Sequence, residues 1–301
     1  MNRRKFLLAL KISAFVLCIS LFFPAIGANA AQHVRRSVAT AHKTKPATAQ
    51  EKQLGEKNCL DGIPTEASSI TPQLQIIYRQ GYVLGYSPND RIPMWVCESV
   101  TTAQLTGHLT RENDQFKVDP EVVGVHATPQ DYLKTGYDRG HQAPAGNQTV
   151  DSTLKQETFY MSNMAPQIPT LNRGIWKALE EKTRDWVKQY GQAYEWTGPI
   201  FYDPKEDDSA TADGTVKYKT IGADDVAVPT DFYKIIVVKE GAKYKSIAFV
   251  MHNGAYTTPY DISKHRQSIA WIEQHTGLMF MPDLPVAQRK DLENTVSEMW
   301  P

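Results

Sequence analysis

His141 closes the run Asp138-Arg139-Gly140-His141, and Asn172, Glu180 and Arg184 follow it along the chain. These residue types suit phosphodiester hydrolysis: an imidazole to accept a proton, oxygen groups for a hard cation and its waters, and guanidinium groups for phosphate oxygens. A neutral imidazole is the side chain best matched to taking a proton from water near pH 7, so His141 is the candidate general base. Gly140, lacking a side chain, lets backbone and substrate approach closely in what reads as a tight turn. Magnesium commonly keeps several waters and takes one or two protein oxygens, so the carbonyl of Asn172 alone can serve as its ligand. Glu180 is placed to accept hydrogen bonds from the cation's waters. Arg139, Arg184 and Arg111 offer forked donors to phosphate.

Each of these residues also has an ordinary structural use. A lone histidine is commonly an exposed or satisfied imidazole. Asn172 at a helix start is a natural N-cap, and Glu180 with Arg184 is an i,i+4 surface pair. The arginines could serve surface salt bridges. Their occurrence together in one stretch of chain favours chemistry over these uses.

To act together they need a helix with one charged rim. Residues 172–190 predict such a helix: Ile175, Trp176, Leu179, Thr183, Trp186 and Val187 form an apolar stripe, with Arg173, Glu180 and Arg184 along its edge. Before it, 94–98 and 157–164 read as short strands, followed by a loop holding Pro166 and Pro169. After it, 194–201, 232–239 and 244–252 are strand-like runs rich in aromatic and β-branched residues. Asp261 is placed to cap a helix reaching about His275, with Gly277 just past its end, and Pro285 to open a last one. Residues 205–214 are acidic and small, a surface loop with no chemistry assigned. The expected class is α+β, a mixed or antiparallel sheet core with packed helices.

Residues 1–30 have the order of a secretory signal peptide: a basic start, an apolar run over 12–23 and a closing Ala28-Asn29-Ala30. Cleavage after Ala30 is expected, leaving a protein in the periplasm or medium with no stable membrane association. An uncleaved anchor is the alternative; the run is shorter than a spanning helix needs. Residues 31–58, rich in Ala, Thr, Lys and Gln, predict a disordered tail, and 59–301 one domain. Export leaves Cys59 and Cys97, an even pair in a compartment that permits oxidation, and a disulfide is expected. Thiols serving as nucleophile or metal ligands would need closer Cys or His partners.

The full chain balances 33 basic against 33 acidic residues. Without 1–30 the count is 29 against 33, net −4, and over 59–301 it is 23 against 31, net −8. That excludes a broad cationic face of the kind that binds nucleic acid by counterion release. Attraction for a polyanion must come from a local cluster and the metal.

The blocks Gly136-Tyr-Asp-Arg-Gly-His-Gln-Ala-Pro144, Thr158-Phe-Tyr-Met-Ser-Asn-Met-Ala-Pro-Gln167 and Leu171-Asn-Arg-Gly-Ile-Trp-Lys-Ala-Leu-Glu180 resemble the DNA/RNA non-specific endonuclease family. The similarity continues through 198–201, 228–234 and 272–278. The resemblance implies a ββα-metal active site with His141 as general base, Asn172 as direct Mg²⁺ ligand (Mn²⁺ as the alternative ion) and Glu180 on the metal's waters. Arg139 and Arg184 match phosphate-handling arginines. Asn163 and Gln167 match supporting polar positions and are assigned, with Arg111 and Arg173, to substrate binding; Arg111 matches less closely because local spacing differs. The implied partners are DNA and RNA, held by phosphate, cut with little sequence preference to leave 5′-phosphate ends. Two alternatives stand beside this: a phosphodiesterase for small nucleotides, and a non-catalytic nucleic-acid-binding protein on the same scaffold.

Overall fold

The runs of aromatic and β-branched residues after position 190 form three of the four long strands of a seven-stranded antiparallel sheet. The computed structural model describes residues 33–34, 46–66, 73–110, 115–208, 210–212, 215–241 and 243–301. The signal peptide expected over 1–30 lies outside the described residues, as does Arg111. In chain order the strands are β1 (Gln75–Tyr78), β2 (Val83–Ser87), β3 (Ile92–Thr101), β4 (Asp138–His141), β5 (Met164–Gln167), β6 (Gln192–Ile200), β7 (Lys217–Ile221), β8 (Val226–Val228), β9 (Asp231–Glu240), β10 (Lys243–His252) and β11 (Arg266–Gln267). The sheet order is β11-β10-β9-β6-β3-β2-β1, while β4 and β5 pair only with each other.

Both faces of β6 and β9 are covered, which is why these strands read as almost continuous apolar runs. One face lies under helix α3 (Trp176–Tyr190), where Trp176 meets Phe232 edge-on at 5.9 Å and Trp186 stacks on Phe249 at 6.3 Å. The other face packs Tyr233 and Trp196 against Phe280, at 5.6 and 6.3 Å between ring centres. On that same face Cys97 is joined by a disulfide to Cys59. Every member of the stripe read from the α3 sequence is buried.

Along the frame of the fold the structure departs from the sequence reading through local chemistry. Within the stretch expected to be a tail, Ala49–Asn58 forms helix α1, opened by Thr48 and Glu51 in a reciprocal capping box and followed directly by the disulfide at Cys59. His33–Val34 also pairs, antiparallel to β7. Residues 157–164 are not a strand: Asp151 caps helix α2 (Ser152–Glu157), a turn follows, and extended backbone begins at Met164. Pro166 lies inside β5, not in a loop; a two-stranded ribbon leaves alternate amides facing away from the ladder, so a missing N–H is tolerated. Finally, Asp261 caps only the short turn Ile262–His265. Pairing of β11 with β10 interrupts the helix expected there, and Ser268 restarts it as α4 (Ile269–Thr276), which ends at left-handed Gly277. The last helix, α5 (Val286–Glu293), follows Pro285 as expected. No helix among the described residues is long and apolar enough to cross a membrane.

Glu273 of α4 accepts a hydrogen bond from the Phe280 amide at 2.8 Å. Burial, assisted by the charge of Glu293, pushes its pKa up to about 7. The folded protein therefore holds this proton more tightly than the unfolded chain, and the stability it confers at low pH is lost as the pH rises from about 4.5 through about 7. Glu273→Gln keeps the acceptor without the charge. It is expected to melt a few degrees above the parent at pH about 8, with the gap closing towards pH about 5 in a thermal-melt series.

Candidate active site

The ribbon of β4 and β5 leads into the site from one side, and the start of α3 closes it from the other. Register places Gly140 opposite Ala165 and His141 opposite Met164, so the Asp-Arg-Gly-His run is a strand and not the tight turn read from its glycine. The glycine serves a different purpose: a Cβ there would stand 2.2 Å from the Gln167 side chain. Between β5 and α3 the chain makes a π-helical turn, Leu171–Ile175, with Gly174 at φ −108° and ψ −112°. Asn172 is thus no N-cap of a regular helix; it sits on a widened turn, a feature often found at functional sites. Gly174 is needed because a Cβ would lie 2.4 Å from the Tyr260 hydroxyl.

His141, Asn172, Glu180, Arg139, Arg173 and Arg184 all line one cavity of about 730 Å³. The His141 ring is set edge-on to Phe159 at 4.8 Å and tilted against Phe116 at 5.7 Å. The Arg139 guanidinium lies 4.4 Å over the same Phe116 ring. One aromatic side chain thereby packs against both the candidate base and a candidate phosphate-binding arginine. Four cationic side chains line the cavity, Arg139, Arg173, Lys177 and Arg184, against the carboxylates of Asp138 and Glu180. This is the local cluster that the acidic chain requires.

Asp138 holds the arrangement together, a role the sequence reading did not assign. Its Oδ2 accepts from Asn172 Nδ2 at 2.9 Å and from Arg173 Nε at 2.7 Å, while Oδ1 accepts from Arg173 Nη2 at 2.5 Å. Burial alone would raise the carboxyl's pKa, but the hydrogen bonds from Arg173 and Asn172, with the charges of Arg173 and Arg139, outweigh it and hold the value below that of an ordinary aspartate. Its contribution to stability is present above the unfolded value near 4 and is lost only as the pH falls through the lower native one. With its nitrogen committed to Asp138, Asn172 has its carbonyl oxygen left for a cation. No cluster of three or more His, Cys, Asp or Glu ligands occurs among the described residues. The donor set here, one amide oxygen with Glu180 in the same cavity, fits a hard ion that keeps most of its waters.

Other assignments change. Arg173 is exposed and forked onto Asp138, so it anchors the ribbon to the π turn while bordering the cavity. Asn163 is fully buried: Oδ1 accepts from the Ala143 amide, and Nδ2 donates to the Ala143 and Thr158 carbonyls, each at 2.9 Å. Gln167 is likewise buried under Gly140. Neither borders the cavity: Asn163 ties down the segment that follows β4, and Gln167 packs against Gly140 within the ribbon. The reading missed Phe116, Tyr137 and Lys177 on the cavity wall; of these, only Lys177 carried a sequence signal, one helical turn before Glu180.

Two short strands and one helix wrapped round a polar cavity define the ββα-metal class of nuclease fold. Residues 63–287 match the family model described as DNA/RNA non-specific endonuclease, and the chain belongs to that family. It is 36% identical over 212 residues to human mitochondrial endonuclease G, covering 70% of each chain. It is 37% identical to nuclease C1 of Cunninghamella echinulata var. echinulata, covering 71% of this chain and 85% of that one. Among solved structures it resembles one of an EndoG/EndoGI complex, with TM-score 0.69, 32% identity, and coverage of 81% of this chain and 96% of the other.

Removing the charge at Asp138 should disturb Asn172 and Arg173 together. Asp138→Asn is expected to cut DNA about 10- to 100-fold more slowly, the range for residues that orient a metal ligand. A melting temperature within a few degrees of the parent would show that the loss is local.

Proposed function

We propose that the chain is an exported endonuclease that hydrolyses DNA and RNA phosphodiesters with little sequence preference, uses Mg²⁺ or Mn²⁺, and leaves 5′-phosphate ends. The observation that carries this is the opening of His141 and Asn172 into the same cavity, together with Arg139, Glu180 and Arg184. Export rests on the order of residues 1–30.

Asn172 would hold the cation and Glu180 its waters. When bound, a divalent ion supplies charge to stabilise the phosphate and the departing oxygen. His141, steadied by Phe116 and Phe159, takes the proton from the water that attacks phosphorus. Arg139 and Arg184 donate to the phosphate oxygens as negative charge grows on them, and Lys177 extends the cationic rim. All of these groups address phosphate and none is assigned to a base edge, which supports the weak sequence preference. The acidic character of 59–301 favours a second reading, a phosphodiesterase for small nucleotides. Comparing rates on a dinucleotide and on long DNA separates the two.

Plasmid DNA and total RNA should be degraded by the mature protein with Mg²⁺ and spared when a chelator is added; degradation in chelator would overturn the metal assignment. His141→Ala is expected to lower kcat by about 10²- to 10⁴-fold while DNA binding changes little, because a general base acts on the transition state. Asn172→Ala should need more Mg²⁺ for half-maximal rate, by about tenfold or more. A titration indistinguishable from the parent's would remove Asn172 as the ligand.

A further inference from the structure

Beneath the cavity, on the face of the sheet that α3 covers, lies a polar cluster that the proposed mechanism does not use. Glu98 of β3 and Glu195 of β6 are direct cross-strand neighbours, and both are buried. Lys234 of β9, also buried, donates to Glu195 Oε2 at 2.9 Å and to Thr197 Oγ1 at 2.7 Å. The ammonium pairs with Glu195, and burial together with the charge of Glu195 pushes the Glu98 carboxyl well above the usual range. Groups of this kind are costly to bury and call for an explanation beyond packing.

Asn147 connects the cluster to the site. It follows the strand of His141 by a short turn and is itself buried. Its Nδ2 donates to Glu98 Oε1 at 3.0 Å and to Glu195 Oε1 at 3.4 Å, which fixes which end of the amide points down. Its Oδ1 therefore points up and accepts from Arg184 Nη1 at 3.4 Å. The neighbouring Gly146 leaves the room: a Cβ there would stand 3.1 Å from Arg184 Nη1.

We propose that Asn147, oriented by Glu98 and Glu195 and given clearance by Gly146, is the positioning residue for Arg184. It aims the guanidinium at the reacting phosphate. Glu195, ion-paired with Lys234, offers the amide only acceptor oxygens, so Asn147 turns its nitrogen towards the buried pair and its oxygen away, which sets the direction of a side chain one layer above. Lys234 keeps the pair from carrying two uncompensated charges. The inference rests on the reading of Arg184 as a phosphate donor.

Two variants approach Arg184 by different routes. Asn147→Ala removes the acceptor, and Gly146→Ala crowds the guanidinium, which must give way slightly, without touching the buried cluster. Asn147→Ala is expected to lower kcat on DNA about tenfold or more and Gly146→Ala about threefold or more, while KM moves less than about threefold, since a misaimed transition-state donor costs rate more than binding. In an Arg184→Ala background each should add less than about twofold, because their effect runs through that side chain. Gly146→Ala also keeps the test valid if Asn147→Ala folds poorly. An inactive parent protein would overturn the nuclease reading and this role with it. An active parent whose Gly146→Ala variant matches it, or whose losses persist undiminished without Arg184, would overturn the positioning alone.

Discussion

The site depends on one carboxylate bridging two elements that share no backbone ladder. Asp138 sits on the ribbon, and its partners Asn172 and Arg173 sit on the π turn that feeds α3. Because both oxygens are engaged in charge-assisted bonds, the ribbon and the turn are held at one separation and one angle. The imidazole is fixed to the first element and the asparagine oxygen to the second. The distance across which a scissile phosphate must fit is thus set by a contact that itself carries out no chemistry.

Much of this was legible in the chain. The stripe from Ile175 to Val187 needed only helical spacing, and the charged rim followed from the same wheel. The long strands after position 190 announced themselves by composition, and the cysteine pair by count and compartment. Other features stayed hidden because they arise between distant residues. Gly140 looked like a turn glycine, yet its lack of a side chain answers to Gln167 on the facing strand. Asn172 looked like a cap, because nothing local signals that Gly174 will break the helix where Tyr260 crosses it. Asp138 was visible in the motif, but its two partners lie one ribbon away. Helix α1 was missed since a capping box and a covalent tether outweighed a composition that on its own predicts disorder.

The electrostatics reconcile an acidic protein with an anionic substrate. The net charge of −8 over 59–301 is spread over the whole domain, while the cavity gathers four cations around two carboxylates. At physiological ionic strength exposed charges are screened beyond about 8 Å, so a phosphate at the cavity senses the local set far more than the distant acids. The cost is a weak long-range pull, and encounter with nucleic acid should be slower than for a basic protein.

The outer strands of the main sheet have a further consequence. One border is the two-residue β11 and the other is β1, whose Gln75 side chain accepts from the Val123 amide and donates to the Glu121 carbonyl. Among the described residues neither bordering strand exceeds four residues, a length that gives a foreign strand little to zip onto. Where partly unfolded neighbours are common, the chain gains from this a resistance to edge-to-edge aggregation that owes nothing to its chemistry.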